Sequence, residues 1–266
     1  MTGVEAGSVL LGTVAIEPNR WSTVDASGAP VTDLVEHSAA IASAGFDGLE
    51  LWERHLPDDP DQAAALIRAL PPVRILNSYV SFDVSDDAAL EAVATRVRRC
   101  GATAVKFNVG ADPTSEPDYV RRVTALVDLL ADDVTLLCEC HEHISIAEDP
   151  AVAARVLGRI GPPDRVGAIV HTHESVEHLR RRFDAYGDRI VAVHVNYLDM
   201  TTMSVPPLSQ RVDDLGIKVE LLRSFGFDGS WTLEFVDGIL TERDRPDALI
   251  GQASVDLALL RAAVSR

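Results

Sequence analysis

The sequence predicts an α/β chain folded as one (β/α)8 TIM barrel over residues 1–266. Three observations carry that prediction. Eight short β-rich runs alternate with amphipathic stretches from one end of the chain to the other. From the second run to the eighth the starts lie about 30 residues apart, the length of one βα unit. Most of the runs are almost wholly apolar, as parallel strands are when helices cover both faces of their sheet.

The runs in order are Ser8–Ala15, Gly48–Trp52, Arg74–Val80, Thr103–Val109, Val134–Cys140, Val166–Thr172, Ile190–Val195 and Ser230–Phe235. Between them, Thr32–Ala44, Asp87–Cys100, Glu116–Ala131, Glu174–Tyr186 and Leu208–Ser224 read as helices. Gly45, Gly101 and Gly226 each follow such a stretch and precede a strand, where a helix C-terminus places glycine. Ala44-Gly45-Phe46-Asp47-Gly48 and Ser224-Phe225-Gly226-Phe227-Asp228-Gly229 are nearly the same phrase, each introducing a strand. No linker or low-complexity tract divides the chain, so a single domain is expected. A doubly wound open sheet is the alternative, but the first strand lacks the glycine fingerprint of a dinucleotide fold.

Composition narrows the function classes. The chain carries 41 acidic residues against 24 Lys+Arg, a formal net charge of −17, and is 47% hydrophobic. Such a charge repels a phosphate backbone or an anionic bilayer, so neither nucleic acid nor membrane is an expected partner. No apolar run reaches the roughly 18 residues of a membrane span, and no basic segment precedes Val9. Cys100, Cys138 and Cys140 make an odd count without a disulfide framework. A cytoplasmic globular protein is the expectation.

In a (β/α)8 barrel, chemistry belongs at the C-terminal ends of the strands. Strand five ends Cys138-Glu139-Cys140-His141-Glu142-His143, and strand six ends Val170-His171-Thr172-His173. Strand seven ends Val193-His194-Val195, and strand eight ends Leu233-Glu234-Phe235. Side chains alternate along a strand, so Glu139, His171, His194 and Glu234 share the inward face at the mouth. Two carboxylates and two imidazoles there suit one divalent cation; without it the carboxylates repel. His173 shares a face with His171, and His171 is preferred because it occupies the strand end.

Other residues are candidate substrate contacts. Glu50 and Trp52 end strand two, as a carboxylate for hydroxyls and an indole wall, or else as rim packing. Lys106 lies inside a strand, as an electrophilic contact or Schiff-base amine, or as a lysine paired with a carboxylate. His141, His143 and His173 are either substrate contacts or exposed polar groups. Arg211 follows the Pro-containing loop after strand seven, either clamping an anion or lying on the surface. Cys138 and Cys140 flank Glu139 with opposite parity, and a C-x-C pair alone is no zinc site. Glu17–Trp21 and Met200–Pro207 read as lid segments, with no phosphate cradle in either.

Several of these stretches resemble the xylose isomerase-like barrels, the sugar phosphate isomerase/epimerase group. They are Ala44 to Trp52, Leu137-Cys138-Glu139-Cys140-His141, Val193-His194-Val195 and Gly226 to Phe235. The resemblance runs in register along essentially the whole chain. It implies a metal site of Glu, Asp, His and Glu on strands five to eight, hence Glu139, His194 and Glu234, with His171 replacing the Asp. That replacement removes one negative charge and shifts the expected cation from Mg2+ toward Mn2+, Co2+, Zn2+ or Fe2+, with Mn2+ first.

The expected reaction is isomerisation or epimerisation of a small hydroxy-carbonyl, sugar or polyol-derived, through an enediolate. Glu139 and Glu234 are the expected acid–base pair as well as metal ligands. A dehydratase or lyase on the same site is the alternative within that chemistry. Metal-dependent hydrolysis is weaker, because strand one lacks the His-x-His pair of amidohydrolase-like barrels. DNA-repair endonuclease activity needs a basic groove that this charge disfavours. A non-catalytic sugar-binding or partner subunit, and homo-oligomerisation, stay open.

Overall fold

The computed structural model describes residues 6–141, 144–199 and 201–265. Eight parallel strands close a barrel in sequence order, with β1 (Val9–Gly12) hydrogen-bonded to both β2 (Gly48–Trp52) and β8 (Ser230–Leu233). Between them run β3 (Val73–Asn77), β4 (Ala104–Phe107), β5 (Thr135–Glu139), β6 (Val166–His171) and β7 (Ile190–Val195). The outer helices are α1 (Ser38–Ala44), α2 (Pro60–Ala69), α3 (Asp87–Cys100), α4 (Glu116–Leu129), α5 (Pro150–Ile160), α6 (Val176–Tyr186), α7 (Val212–Ser224) and α8 (Pro246–Val264). The predicted fold class is the observed one. No helix among the described residues is long and apolar enough to cross a membrane.

Three helices start later than predicted: α1, α6, and α7, which begins at Val212 rather than Leu208 because Leu208–Gln210 form a separate 3-10 turn. Helix α1 begins at Ser38 rather than Thr32: the N–H groups of Val31 and Thr32 donate to the buried Glu17 carboxylate, and residues 34–37 form turns before the helix. Helix α6 begins at Val176 rather than Glu174, because the Glu174 carboxylate turns back to accept the His171 N–H at 2.9 Å. The start of α2, α5 and α8 with proline in the first turn matches the position where a missing N–H costs nothing.

Alternation along the strands builds two cores. Residues facing the helices form a large continuous one, including Leu11, Leu51, Leu76, Val105, Cys138, Val170 and Val193. Residues facing inward form a small separate cluster: Leu10, Ile75, Ala104, Leu137, Ile169 and Ala192. That cluster is the apolar floor of the barrel, and it decides what lies one step above it.

Candidate metal centre

Two residues beyond the floor, every inward position from β2 to β7 is polar. Gly48 is followed by Glu50, Ile75 by Asn77, Ala104 by Lys106, Leu137 by Glu139, Ile169 by His171 and Ala192 by His194. Glu234 completes the ring, two residues beyond Thr232 and one past the end of β8. All seven side chains are buried. A layer of ionisable groups on an apolar floor is tolerable only if its members satisfy one another or a ligand.

Four of them converge. Glu139, His171, His194 and Glu234 each offer one ligand atom, and these atoms lie within 4.8 Å of one another. Glu139 Oε1 is 3.2 Å from His171 Nε2 and 3.3 Å from His194 Nδ1. Glu234 Oε1 is 3.4 Å from the same His194 Nδ1. Donors about 2.1 Å from a shared cation sit about 3.0–3.4 Å apart in octahedral or tetrahedral arrangement. His194 Nδ1 is buried without a hydrogen-bond partner. An orphaned imidazole nitrogen between two carboxylate oxygens fits a cation-binding role, and the cluster is able to hold a metal ion.

The far side of each of these four side chains is also engaged. His194 Nε2 lies 2.9 Å from Glu50 Oε2, and Glu50 Oε1 accepts from Asn77 Nδ2 at 2.9 Å. Behind His171 stands Glu174, 3.7 Å from Nδ1 and ion-paired with the buried Arg182. Arg182 is itself tied to the Tyr186 hydroxyl and the Cys140 carbonyl, each at 2.7 Å. Glu139 Oε2 pairs with Lys106 Nζ at 2.6 Å and accepts from Asn108 Nδ2 at 2.9 Å. Glu234 Oε2 accepts from Asn196 Nδ2 at 2.7 Å. Carboxylates behind the imidazoles fix which ring nitrogen faces the centre.

Electrostatics follow from this packing. Burial works to raise the Glu139 carboxyl, but Lys106 and the two imidazoles hold it well below the usual carboxylate range. Burial likewise opposes ionisation of Glu234, yet His194 brings its pKa down to about 2. Burial disfavours the charged form of His171, and Glu139 and Glu174 outweigh it, pushing the pKa up to about 9. For Lys106 too, burial is outweighed, chiefly by Glu139, and its pKa rises. The ammonium is therefore held charged rather than as the free amine of a Schiff base.

Above the cluster opens a cavity of ≈ 430 Å³. Glu139 and Glu234 line it, as do Trp52 and His141 among the predicted substrate contacts. Other predicted contacts lie elsewhere. Glu50 faces His194 and Asn77 instead of the cavity, and Lys106 faces Glu139. The exposed His173 sits with its ring 4.9 Å from that of His171, outside the four-residue cluster. Arg211 is exposed, with its guanidinium 5.7 Å from the Tyr197 ring, and is not a lining residue. Arg20, Arg54, Tyr79 and Asn196 line the cavity without having been assigned a role from sequence. Arg20 and Trp21 come from the first predicted lid segment, whereas none of residues 201–207 lines the cavity. His143 and Met200 lie outside the described residues.

No protein-family profile and no curated protein matches the chain. Solved structures do. A xylose isomerase-like TIM barrel/4-hydroxyphenylpyruvate dioxygenase fusion protein superposes with a TM-score of 0.66 at 17% identity, over 97% of this chain and 43% of its own. A sugar phosphate isomerase/epimerase from Parabacteroides distasonis gives 0.61 at 11% identity, over 98% of this chain and 96% of its own. Endonuclease IV from Thermus thermophilus gives 0.62 at 13% identity, over 97% and 99%. The fold is that of the xylose isomerase-like and sugar phosphate isomerase/epimerase TIM barrels.

Proposed function

We propose that the chain is a divalent-metal-dependent isomerase or epimerase of a small hydroxy-carbonyl compound, sugar or polyol-derived. The observation that carries the reading is the convergence of Glu139, His171, His194 and Glu234 beneath a cavity of small-molecule size. We take these four as the ligands. Two nitrogen and two oxygen donors suit Mn2+ first, with Co2+, Zn2+ and Fe2+ next and Mg2+ last. A cation held by these residues would supply Lewis-acid polarisation of a carbonyl and its neighbouring hydroxyl, which would acidify the adjacent C–H.

The remaining work falls to the chain. Glu139 and Glu234 both line the cavity, and we assign them the acid–base role, each keeping a second oxygen off the cluster. Lys106 and Asn108 orient Glu139 Oε2, and Asn196 orients Glu234 Oε2. Return of the proton to the opposite face inverts a centre; return to the adjacent carbon moves the carbonyl. Loss of a β-hydroxyl from the same carbanion is the lyase alternative. Trp52 walls the cavity. A net charge of −17 favours this small-molecule reading over the nucleic-acid chemistry of an endonuclease.

The test is elemental analysis of the purified protein and of a Glu139→Ala, Glu234→Ala double variant, followed by proton exchange of ketoses and hydroxy-ketoacids in deuterated water. About one transition metal per chain, lost in the variant together with exchange, is the expected result. A wild type that takes up no metal even after soaking overturns the reading.

A further inference from the structure

A second charged feature lies at the mouth, on the β1 and β2 side of the cavity. In a ring of eight strands the ends of β1 and β2 stand opposite those of β5 and β6. There the loop after β1 and the turn after β2 bring Arg20, Trp21, Ser22 and Arg54 into the cavity wall. Among the described residues, the only acidic ones lining that cavity are Glu139, at the end of the opposite strand β5, and Glu234, just past β8, the strand next to β1.

This wall is held in place from within. The Glu17 carboxylate accepts the N–H groups of Asn19, Val31 and Thr32, closing the loop at its base. The buried Asn19 side chain accepts from Val24 and Asp25 and donates to the Ala29 carbonyl. Arg20 pairs with Asp244 at 3.1 Å and lies over the Trp21 ring at 4.4 Å. Its side chain is 3% exposed, and its Nε has no hydrogen-bond partner. Arg54 donates to the Gly28 carbonyl at 2.7 Å and flanks the Trp52 ring at 5.4 Å. Among the described residues it has no carboxylate partner. Ser22 has a left-handed φ of 57°, a conformation that a non-glycine residue holds only where its surroundings impose it.

We propose that this rim is a carboxylate subsite, so that the substrate is a hydroxy-carbonyl acid. Its carboxylate sits on the Arg54 guanidinium, with the charge of the buried Arg20 beside it, while its hydroxy-carbonyl end reaches Glu139 and Glu234. The planar donor fork of arginine matches a carboxylate, and stacking on tryptophan presets its orientation. The donor is a side-chain fork rather than a glycine-rich backbone cradle of the kind that takes phosphate. Only the placing of the hydroxy-carbonyl end depends on the proposed function.

D-glucuronate, D-glucose and D-glucose 6-phosphate share a carbon skeleton and differ at C6, which makes them the probes. Binding is read by calorimetry and by the fluorescence of Trp21 and Trp52, on protein with and without Mn2+. Glucuronate is expected to bind at least about tenfold more tightly than glucose, the size of a charge-assisted hydrogen bond. Arg54→Gln, at an exposed position that should leave folding intact, is expected to bring the two within about twofold. Equal binding of glucuronate and glucose, no binding of any probe, a preference for the phosphate, or a preference that survives Arg54→Gln overturns the proposal. An Arg54-dependent preference without metal-dependent proton exchange retains the subsite and removes the isomerase reading. Exchange on neutral sugars, unaffected by Arg54→Gln, does the reverse.

Discussion

His171 and His194 present opposite ring nitrogens to the same point. His171 faces the centre with Nε2 and His194 with Nδ1, and Glu174 and Glu50 take the other sides. Without a cation, the surrounding carboxylates stabilise protons on these rings, which places His171 at about 9. A cation must displace such a proton, so the sign is fixed: below pH 9 the proton competes, and affinity grows as pH rises. Mn2+ affinity measured by calorimetry is expected to increase at least about tenfold per pH unit between pH 7 and 8, with proton release seen as a buffer-dependent heat. A pH-independent affinity would show that the imidazoles are not ligands. Arg182 contributes at one remove, since it anchors the carboxylate that holds His171.

At the scale of elements, the repeated Gly-Phe-Asp-Gly phrase has a mechanical explanation. Its first glycine takes the left-handed turn after a helix, with φ of 85° at Gly45 and 81° at Gly226. Its last glycine lets a strand start against a neighbour's backbone. A Cβ on Gly48 would lie 2.7 Å from the Pro72 carbonyl oxygen, and one on Gly229 would lie 2.1 Å from that of Val191. Backbone cannot yield as a flexible side chain does, so Gly229→Ala is expected to destabilise by about 2 kcal/mol or more, with Gly48→Ala milder. Urea denaturation of both variants checks the ranking. Because Gly229 sets where β8 begins, the same change should displace Glu234 and weaken metal uptake.

Across the whole molecule, buried carboxylates tie the loops to the barrel. Glu17 is opposed by burial but stabilised by His55 and three backbone N–H groups, and falls to about 2. Glu174 also reaches about 2, where His171 and Arg182 overcome burial. Both lie below their unfolded value of 4.5, so their contribution is complete above pH 4.5 and is lost as pH falls toward 2. Each shift is worth roughly 3 kcal/mol. Thermal unfolding followed from pH 6 to pH 2 should show a steep loss in that window. Glu17→Gln should lower stability at pH 7 and flatten the slope, and an unchanged slope would refute the assignment.

Much of this architecture was legible along the chain. Strand spacing, apolar runs and strand-end ionisable groups each arise from local alternation, and the barrel topology converts them into one inward ring. The acidic and imidazole groups of β5 to β8 stood out because each interrupts an apolar run. Roles that depend on partners distant in sequence were not legible. The sequence left Glu50 and Lys106 open between substrate contact and structural role, and only the fold pairs one with His194, 144 residues away, and the other with the Glu139 carboxylate. Arg211, read as either an anion clamp or a surface residue, lies on the surface, whereas Arg54 reaches the cavity because Gly28, 26 residues earlier, folds over to receive it. Sequence by itself determined the alternation of strands and helices and which residues interrupt the core, since these depend on periodicity. Tertiary structure alone decided which carboxylate serves the centre and which supports an imidazole, because closing the barrel sets those distances.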